Sequence, residues 1–232
     1  ATPSDIAGDQ FGNAYITGSC TAGLANTTGF WKPTYGGGTS DAFALKLETA
    51  GATRAYVTFI GGTGADRGVA IALDGNNNAY ITGTTDSSSF PSAAGAYSNT
   101  VRGGRDVFVT KLNGAGTGMD YSTLIGGTQN DMVEDIAVDI NGSAYITGST
   151  LSLNYPTSTT TKAFQDNHAG NDPTNLYGDA FVTKLNPAGT NIAYSTFLGG
   201  VTGDGGTGIY VDRRGYAYVT GFTGSVNFPV RI

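Results

Sequence analysis

The sequence predicts an all-β protein of β-propeller-type blades, each of four antiparallel strands, with three blades complete and a fourth half complete. Three observations carry this. One phrase is spelled three times, as "DAFALKLE" from Asp41, "DVFVTKLN" from Asp106 and "DAFVTKLN" from Asp179. It belongs to a set of four phrases that recur in fixed order, and a fixed long period marks arrays of one supersecondary unit. Helix formers at helical spacing are missing: Glu occurs only as Glu48 and Glu134, Ala sits in alternating strand-like runs, and 37 glycines punctuate the 232 residues.

The first phrase, A, is an apolar run closed by an aspartate: "DIAGD" at Asp9, "VAIALD" at Asp74, "EDIAVD" at Asp139 and "TGIYVD" at Asp212. Phrase B follows as "GNAYITG" from Gly12, "NNAYITG" from Asn77, "GSAYITG" from Gly142 and "GYAYVTG" from Gly215. Its tyrosines, Tyr15, Tyr80, Tyr145 and Tyr218, lie 65, 65 and 73 residues apart. Phrase C is the thrice-written one, and phrase D reads "YVTFIGG" from Tyr56, "YSTLIGG" from Tyr121 and "YSTFLGG" from Tyr194. Four short extended segments per repeat is the content of one propeller blade.

Side-chain alternation supports stacked blades over a sheet with one wet face. In phrase C, Val107 and Val109 oppose Phe108 and Leu112; in phrase B, Ala79 and Ile81 oppose Tyr80. A sheet apolar on both faces has to be sandwiched. The predicted units are blade one at about 5–62, blade two at about 66–127, blade three at about 131–200 and a half blade at about 204–232.

With "GNAYITG", "DVFVTKLN", "YSTLIGG" and the Phe90-Pro91, Tyr155-Pro156 and Phe228-Pro229 pairs in place, the chain resembles the SBBP (seven-bladed β-propeller) repeat family along nearly its whole length. The resemblance implies the fold and an extracellular or cell-surface setting, and it carries no catalytic residues. Repeat one departs from the pattern, since Ala25-Asn26 stands where the others have the aromatic–proline pair.

Composition excludes several functions. A net charge of −6 with 12 scattered Lys and Arg lacks the clustered basic face that phosphate binding needs. No run approaches the roughly 18 to 20 apolar residues of a membrane span. Cys20 stands alone, so no intrachain disulfide forms and it reads as a small buried residue rather than a nucleophile. Few charges with abundant Thr, Ser, Asn and Gly point to a secreted or surface protein. The start at Ala1 points to a processed or excised chain, and the sequons at Asn26 and Asn141 add little.

Candidate sites follow from where repeats differ. Repeat three carries eight extra residues, all between phrases B and C, on the same predicted face as the D-to-A connections. Variable loops on a rigid scaffold are where binding sits. Asp66, Asp131 and Asp204, one per D-to-A connection, are the ligand or cation candidates, with His168 in the long loop beside them. Gathered carboxylates suit a hard cation such as calcium; the plainer reading is that each accepts turn N–H groups in its own blade. No resident cofactor is expected. Ten of the sixteen aspartates fall on repeat positions, so the acidic balance follows mainly from repetition.

Other motifs weaken on inspection. Residues 203–208 spell GxGxxG but precede a strand, and Asp74–Asn78 imitates a calcium loop whose counterpart from Asp212 has lost most ligands. The repeated tyrosines could stack on sugars, but in-phase aromatics fit blade packing better. Lys46, Lys111 and Lys184 recur in phase, as a solvated blade edge would.

The half blade lacks phrases C and D, which leaves an unpaired edge at Tyr218, Thr220, Phe228 and Pro229. A longer parent chain, a ring of two copies or a head-to-tail filament would each complete it. The sequence reading is therefore a non-enzymatic structural, adhesive or self-assembling scaffold acting through protein contacts, with no nucleic acid and no membrane insertion. The alternatives are a propeller holding a glycan or cation on its loop face, and a polysaccharide-active enzyme such as a lyase with His168 as acid or base.

Overall fold

The computed structural model describes residues 1–24, 30–32, 34–158, 162–170 and 178–230. Among them are fourteen strands and no helix, and every strand coincides with one of the recurring phrases. Blade one is β1 (Thr2–Gly8), β2 (Ala14–Cys20), β3 (Asp41–Leu47) and β4 (Arg54–Ile60). Blade two is β5 (Asp66–Leu73), β6 (Ala79–Thr85), β7 (Asp106–Leu112) and β8 (Met119–Ile125). Blade three is β9 (Asp131–Val138), β10 (Ala144–Thr150), β11 (Asp179–Leu185) and β12 (Ile192–Leu198). β13 (Asp204–Val211) and β14 (Ala217–Thr223) form the half blade. Each sheet is an antiparallel meander in chain order, and the array is not closed into a ring. The first strand starts at Thr2, three residues before the predicted edge of blade one, because Thr2 and Pro3 pair with Ser19 and Gly18.

The A-to-B turns explain the recurring aspartate. Asp74 accepts the N–H groups of Asn76 and Asn78 and the Asn78 amide, and Asp139 and Asp212 each accept the two corresponding backbone N–H groups. The stretch that imitates a calcium loop is thus a hairpin turn closed by its own carboxylate. Its tight corner needs φ near +83° at Gly12, Gly142 and Gly215, and Asn77 takes the same region with φ 62°. The GxGxxG stretch runs into β13 and opens no helix.

Stacking buries both faces, as the alternation requires. Phe108, Leu112, Ala79 and Ile81 join Ala42, Tyr56 and Ile60 of blade one. From the opposite face of the same sheet, Tyr80, Val107 and Val109 join Ile136, Ile146 and Phe181 of blade three. Tyr145 and Val182 meet Ile209 and Val211 of the half blade. At roughly 1.5 to 3 kcal/mol per buried large apolar side chain, each junction holds its neighbours by burial.

A one-residue bulge recurs in every first strand, at Ser4, Val69, Glu134 and Thr207. Bulges re-aim side chains, and here Ser4, Val69 and Glu134 line one groove along the inner strands.

Candidate functional site

Adjacent blades meet at a pair of carboxylates. Asp41 opens β3 and Asp66 opens β5, and both are 0% exposed. A methyl group on Gly61 would lie 2.6 Å from the Asp41 carboxyl and 2.7 Å from Asp66 Oδ2, so the glycine lets the two acids flank one turn. Gly126 stands in the same relation to Asp106 and Asp131. Asp179 lies against Gly199 and senses the charge of Asp204.

The second acid of each pair is held by its own blade. Asp131 accepts the Gly127 N–H at 2.7 Å and the Ser152 hydroxyl at 3.1 Å, and Thr150 donates to its other oxygen. Asp66 takes Gly62, Ser87 and Thr85 in the same way, and Asp204 takes Gly200 and Ser225. Burial pushes the Asp131 carboxyl up to about 6 against these hydrogen bonds, with the Asp106 charge adding to the rise. Asp66 is raised for the same first cause.

The first acid of each pair faces the B-to-C loop. Asp41 accepts the Gly36 N–H at 2.6 Å, Asp106 the Arg102 N–H at 2.9 Å and Asp179 the Ala169 N–H at 2.7 Å. The same loops bring one basic side chain to each pair: Lys32, which donates to the Gly61 carbonyl, Arg102 and His168. Burial raises Asp41, Asp106 and Asp179, and the charge of the local base opposes the rise in each.

The structure places the three candidate aspartates apart. Asp66, Asp131 and Asp204 are fully enclosed in three separate blade junctions, and among the described residues no three acidic, histidine or cysteine side chains are grouped to hold a metal ion. The plainer turn-accepting reading describes them. His168 is likewise a packing residue: its side chain is 3% exposed, its Nε2 lies 3.0 Å from the Thr150 carbonyl and 3.2 Å from the Asp179 nitrogen, and its ring meets Phe197 edge-on at 5.5 Å. The Asn26 sequon and the Ala25-Asn26 departure lie outside the described residues; Asn141 is exposed in its turn.

The in-phase lysines are not a solvated edge. Cross-strand register sets Lys46, Lys111 and Lys184 opposite Tyr15, Tyr80 and Tyr145, with each ammonium 4.6 to 5.1 Å from a ring centre. Lys184 also reaches Asp139 at 3.1 Å. Burial alone would raise Asp139, but the Ser143 N–H, Lys184 and Tyr145 hold it below the usual carboxylate value. Those three tyrosines are 0% exposed, as blade packing requires.

The open surface lies elsewhere. A cavity of about 420 Å³ runs between the first strands, with Arg67, Arg105, Glu134, Ser19, Ser40 and Thr84 on its walls. Sequence reasoning missed it because the bulge that lines it holds a different residue type in each repeat. At the far end, Tyr210, Tyr218 and Phe222 are 65%, 57% and 45% exposed. Of the predicted edge residues, Thr220 and Phe228 border one cavity beside β14, Tyr218 stands exposed outside it and Pro229 follows half-buried.

These blades are of a known kind. A family model described as Beta-propeller repeat (SBBP) matches residues 55–91 and 120–156. Each match runs from the last strand of one blade through the first two of the next and stops at the aromatic–proline pair, and the same phrases return from 193 to 229. Two of the chain's repeats are thus of the SBBP β-propeller kind, and that description leaves the number of blades open. No curated protein matches the chain.

Proposed function

We propose that this chain is a non-enzymatic scaffold of the cell exterior that works, as a structural or adhesive module, through protein contacts. One observation supports the reading: the chain is built of stacked repeat blades, two of them matching a propeller-repeat family, with bulge residues that differ from repeat to repeat lining an open groove on the rigid scaffold. Light scattering across a wide concentration range, with chelator present, tests the reading. Association that survives chelator supports it, and a monomer at every concentration that captures no protein removes it.

The groove supports a second reading. Arg67 and Arg105 with the hydroxyls of Ser19, Ser40 and Thr84 suit an acidic glycan. Such a ligand would raise the melting temperature, and Arg67→Ala would abolish that rise.

A further inference from the structure

Both arginines of the groove are surplus to the blade that carries them. Ser40, Arg105 and Gly178 stand in phase just before the C-phrase strands, and each makes the same backbone contact: its carbonyl accepts the N–H of Asp66, Asp131 or Asp204 at 2.8 to 2.9 Å. That junction needs a carbonyl and no side chain, since glycine serves at one of the three. At the second position of the first strand, blade two has Arg67 where blade three has Met132. Among the described residues neither guanidinium has a hydrogen-bond or ion-pair partner. Both stand on the walls of the cavity of about 420 Å³, which draws on blades one to three and, among the described residues, on none of the half blade.

The two arginines have different surroundings. Glu134 shares the walls with them; burial pushes its carboxyl up, and the charge of Arg67 pulls it back. A guanidinium beside a carboxylate sets donors next to acceptors, the complement of neighbouring sugar hydroxyls. Arg105 does not act on Glu134, so its charge is the one left over. With two positive charges and one negative on the walls, the cavity is matched to a single added anion. Arg67 pairs with Thr84 on β6 and Arg105 leads into β7, so they stand two strand spacings apart, about 10 Å. Two sugar rings cover such a span, with Val69 and Met132 as apolar wall for a C–H face. The inner edge does not suit a peptide strand: the bulges at Val69 and Glu134 kink it, and Asp5 and Asp135 cap the Ile71 and Ile136 N–H groups, each at 2.8 Å.

Within the acidic-glycan reading, on which this rests, we propose that the groove binds a disaccharide unit of one uronate and one neutral sugar. The carboxylate lies on Arg105, and hydroxyls of the neutral ring lie between Arg67 and Glu134. Carboxylate on guanidinium is the strong, charge-assisted contact. Glu134 repels a second anionic ring and so sets which sugar faces Arg67.

The test titrates the isotope-labelled chain with β-1,4-linked glucuronosyl-glucose, with cellobiose as its neutral counterpart and with diglucuronate, which is acidic on both rings. Saturable one-to-one binding of glucuronosyl-glucose is expected, with amide shifts centred on residues 65–69, 105 and 132–134. The other two sugars should bind about tenfold or more weakly. Arg105→Ser and Arg67→Met put in residues that neighbouring repeats already hold in phase, Ser40 and Met132, so both variants should fold. Arg105→Ser should erase the difference between the acidic and neutral disaccharides, whereas Arg67→Met should weaken both alike. Glu134→Gln should admit diglucuronate. Equal binding of cellobiose, a difference that survives Arg105→Ser, or shifts away from the groove overturns the proposal. If diglucuronate binds as tightly as glucuronosyl-glucose, the one-uronate assignment falls and the acidic-glycan reading stands; if neither acidic sugar binds, both fall.

Discussion

The hydroxyl of Tyr145 donates to the carbonyl of Gly215 at 3.2 Å, across the junction between blade three and the half blade. Tyr80 does the same to Gly142 at 3.1 Å. Tyr80 and Tyr145 thus each pack their own blade and latch the turn of the next. Among the described residues the Tyr218 hydroxyl bonds Asp212, at 3.4 Å, and no turn of a following blade.

Tyr145→Phe is accordingly expected to cost about 1 to 2 kcal/mol, since it strips a partner from a part-buried carbonyl and from Asp139. Tyr218→Phe should cost under about 0.5 kcal/mol. Urea denaturation of the two variants measures the contrast. Equal losses would mean that the latch contributes nothing.

Much of this was legible from repetition. The opposition of Val107 and Val109 to Phe108 and Leu112 is a consequence of strand alternation, and stacking sends the two sets to different junctions. The carboxylate pairs were not legible, because Asp106 and Asp131 belong to different repeats and only the stacking of blades brings them together. Their counter-charges, Lys32, Arg102 and His168, sit at unequal distances from the next strand, so no spacing announces them. The lysines were misread because the sequence alone gives no cross-strand register, and that register is what sets Lys111 over Tyr80.

Gly126 separates the two acids of one pair. Gly126→Ala would drive a methyl group to 2.5 Å from the Asp106 carboxyl carbon and 2.7 Å from Asp131 Oδ2. Both acids are anchored, so the strain has little outlet, and a loss of about 3 kcal/mol or more is expected. At Gly75 an added methyl group meets nothing within 4 Å, and Gly75→Ala should be within about 0.5 kcal/mol of the parent. Thermal unfolding of both variants distinguishes crowding at the pair from a general intolerance of alanine.

Cys20 lies 3% exposed against Phe43 and Phe59, and burial, reinforced by the Asp41 charge, pushes its thiol up to about 11. A thiol that is neither ionised nor reachable does not alkylate. Iodoacetamide at neutral pH should leave the folded chain unmodified and label it stoichiometrically in denaturant. Mass spectrometry reads both, and rapid labelling of the native chain would show that the packing of Cys20 against Phe43 and Phe59 opens.

The acid pairs also set how stability depends on pH. With the Asp131 carboxyl at about 6 in the fold against 3.8 as its ordinary value, the folded state binds this proton more tightly than the unfolded chain. The resulting stabilisation is fully present below about 3.8 and lost as pH rises through about 6. Asp41, Asp66, Asp106 and Asp179 are shifted upward too and act in the same sense. Asp74 and Asp139 are shifted downward, so their contribution persists above their ordinary value and fades only as pH falls below it. Between about pH 7.5 and pH 5 the raised Asp131 carboxyl takes up its proton in the fold, while Asp74 and Asp139 stay ionised. The chain should therefore gain roughly 1 kcal/mol from Asp131 on acidification over that range, and melt higher at the lower pH. Asp131→Asn should flatten that segment of the profile whatever it does to the absolute melting point. A melting temperature that falls steadily from pH 7.5 to 5 would mean that the buried carboxylates are stabilised as anions, with Lys32, Arg102 and His168 outweighing the cost of burial.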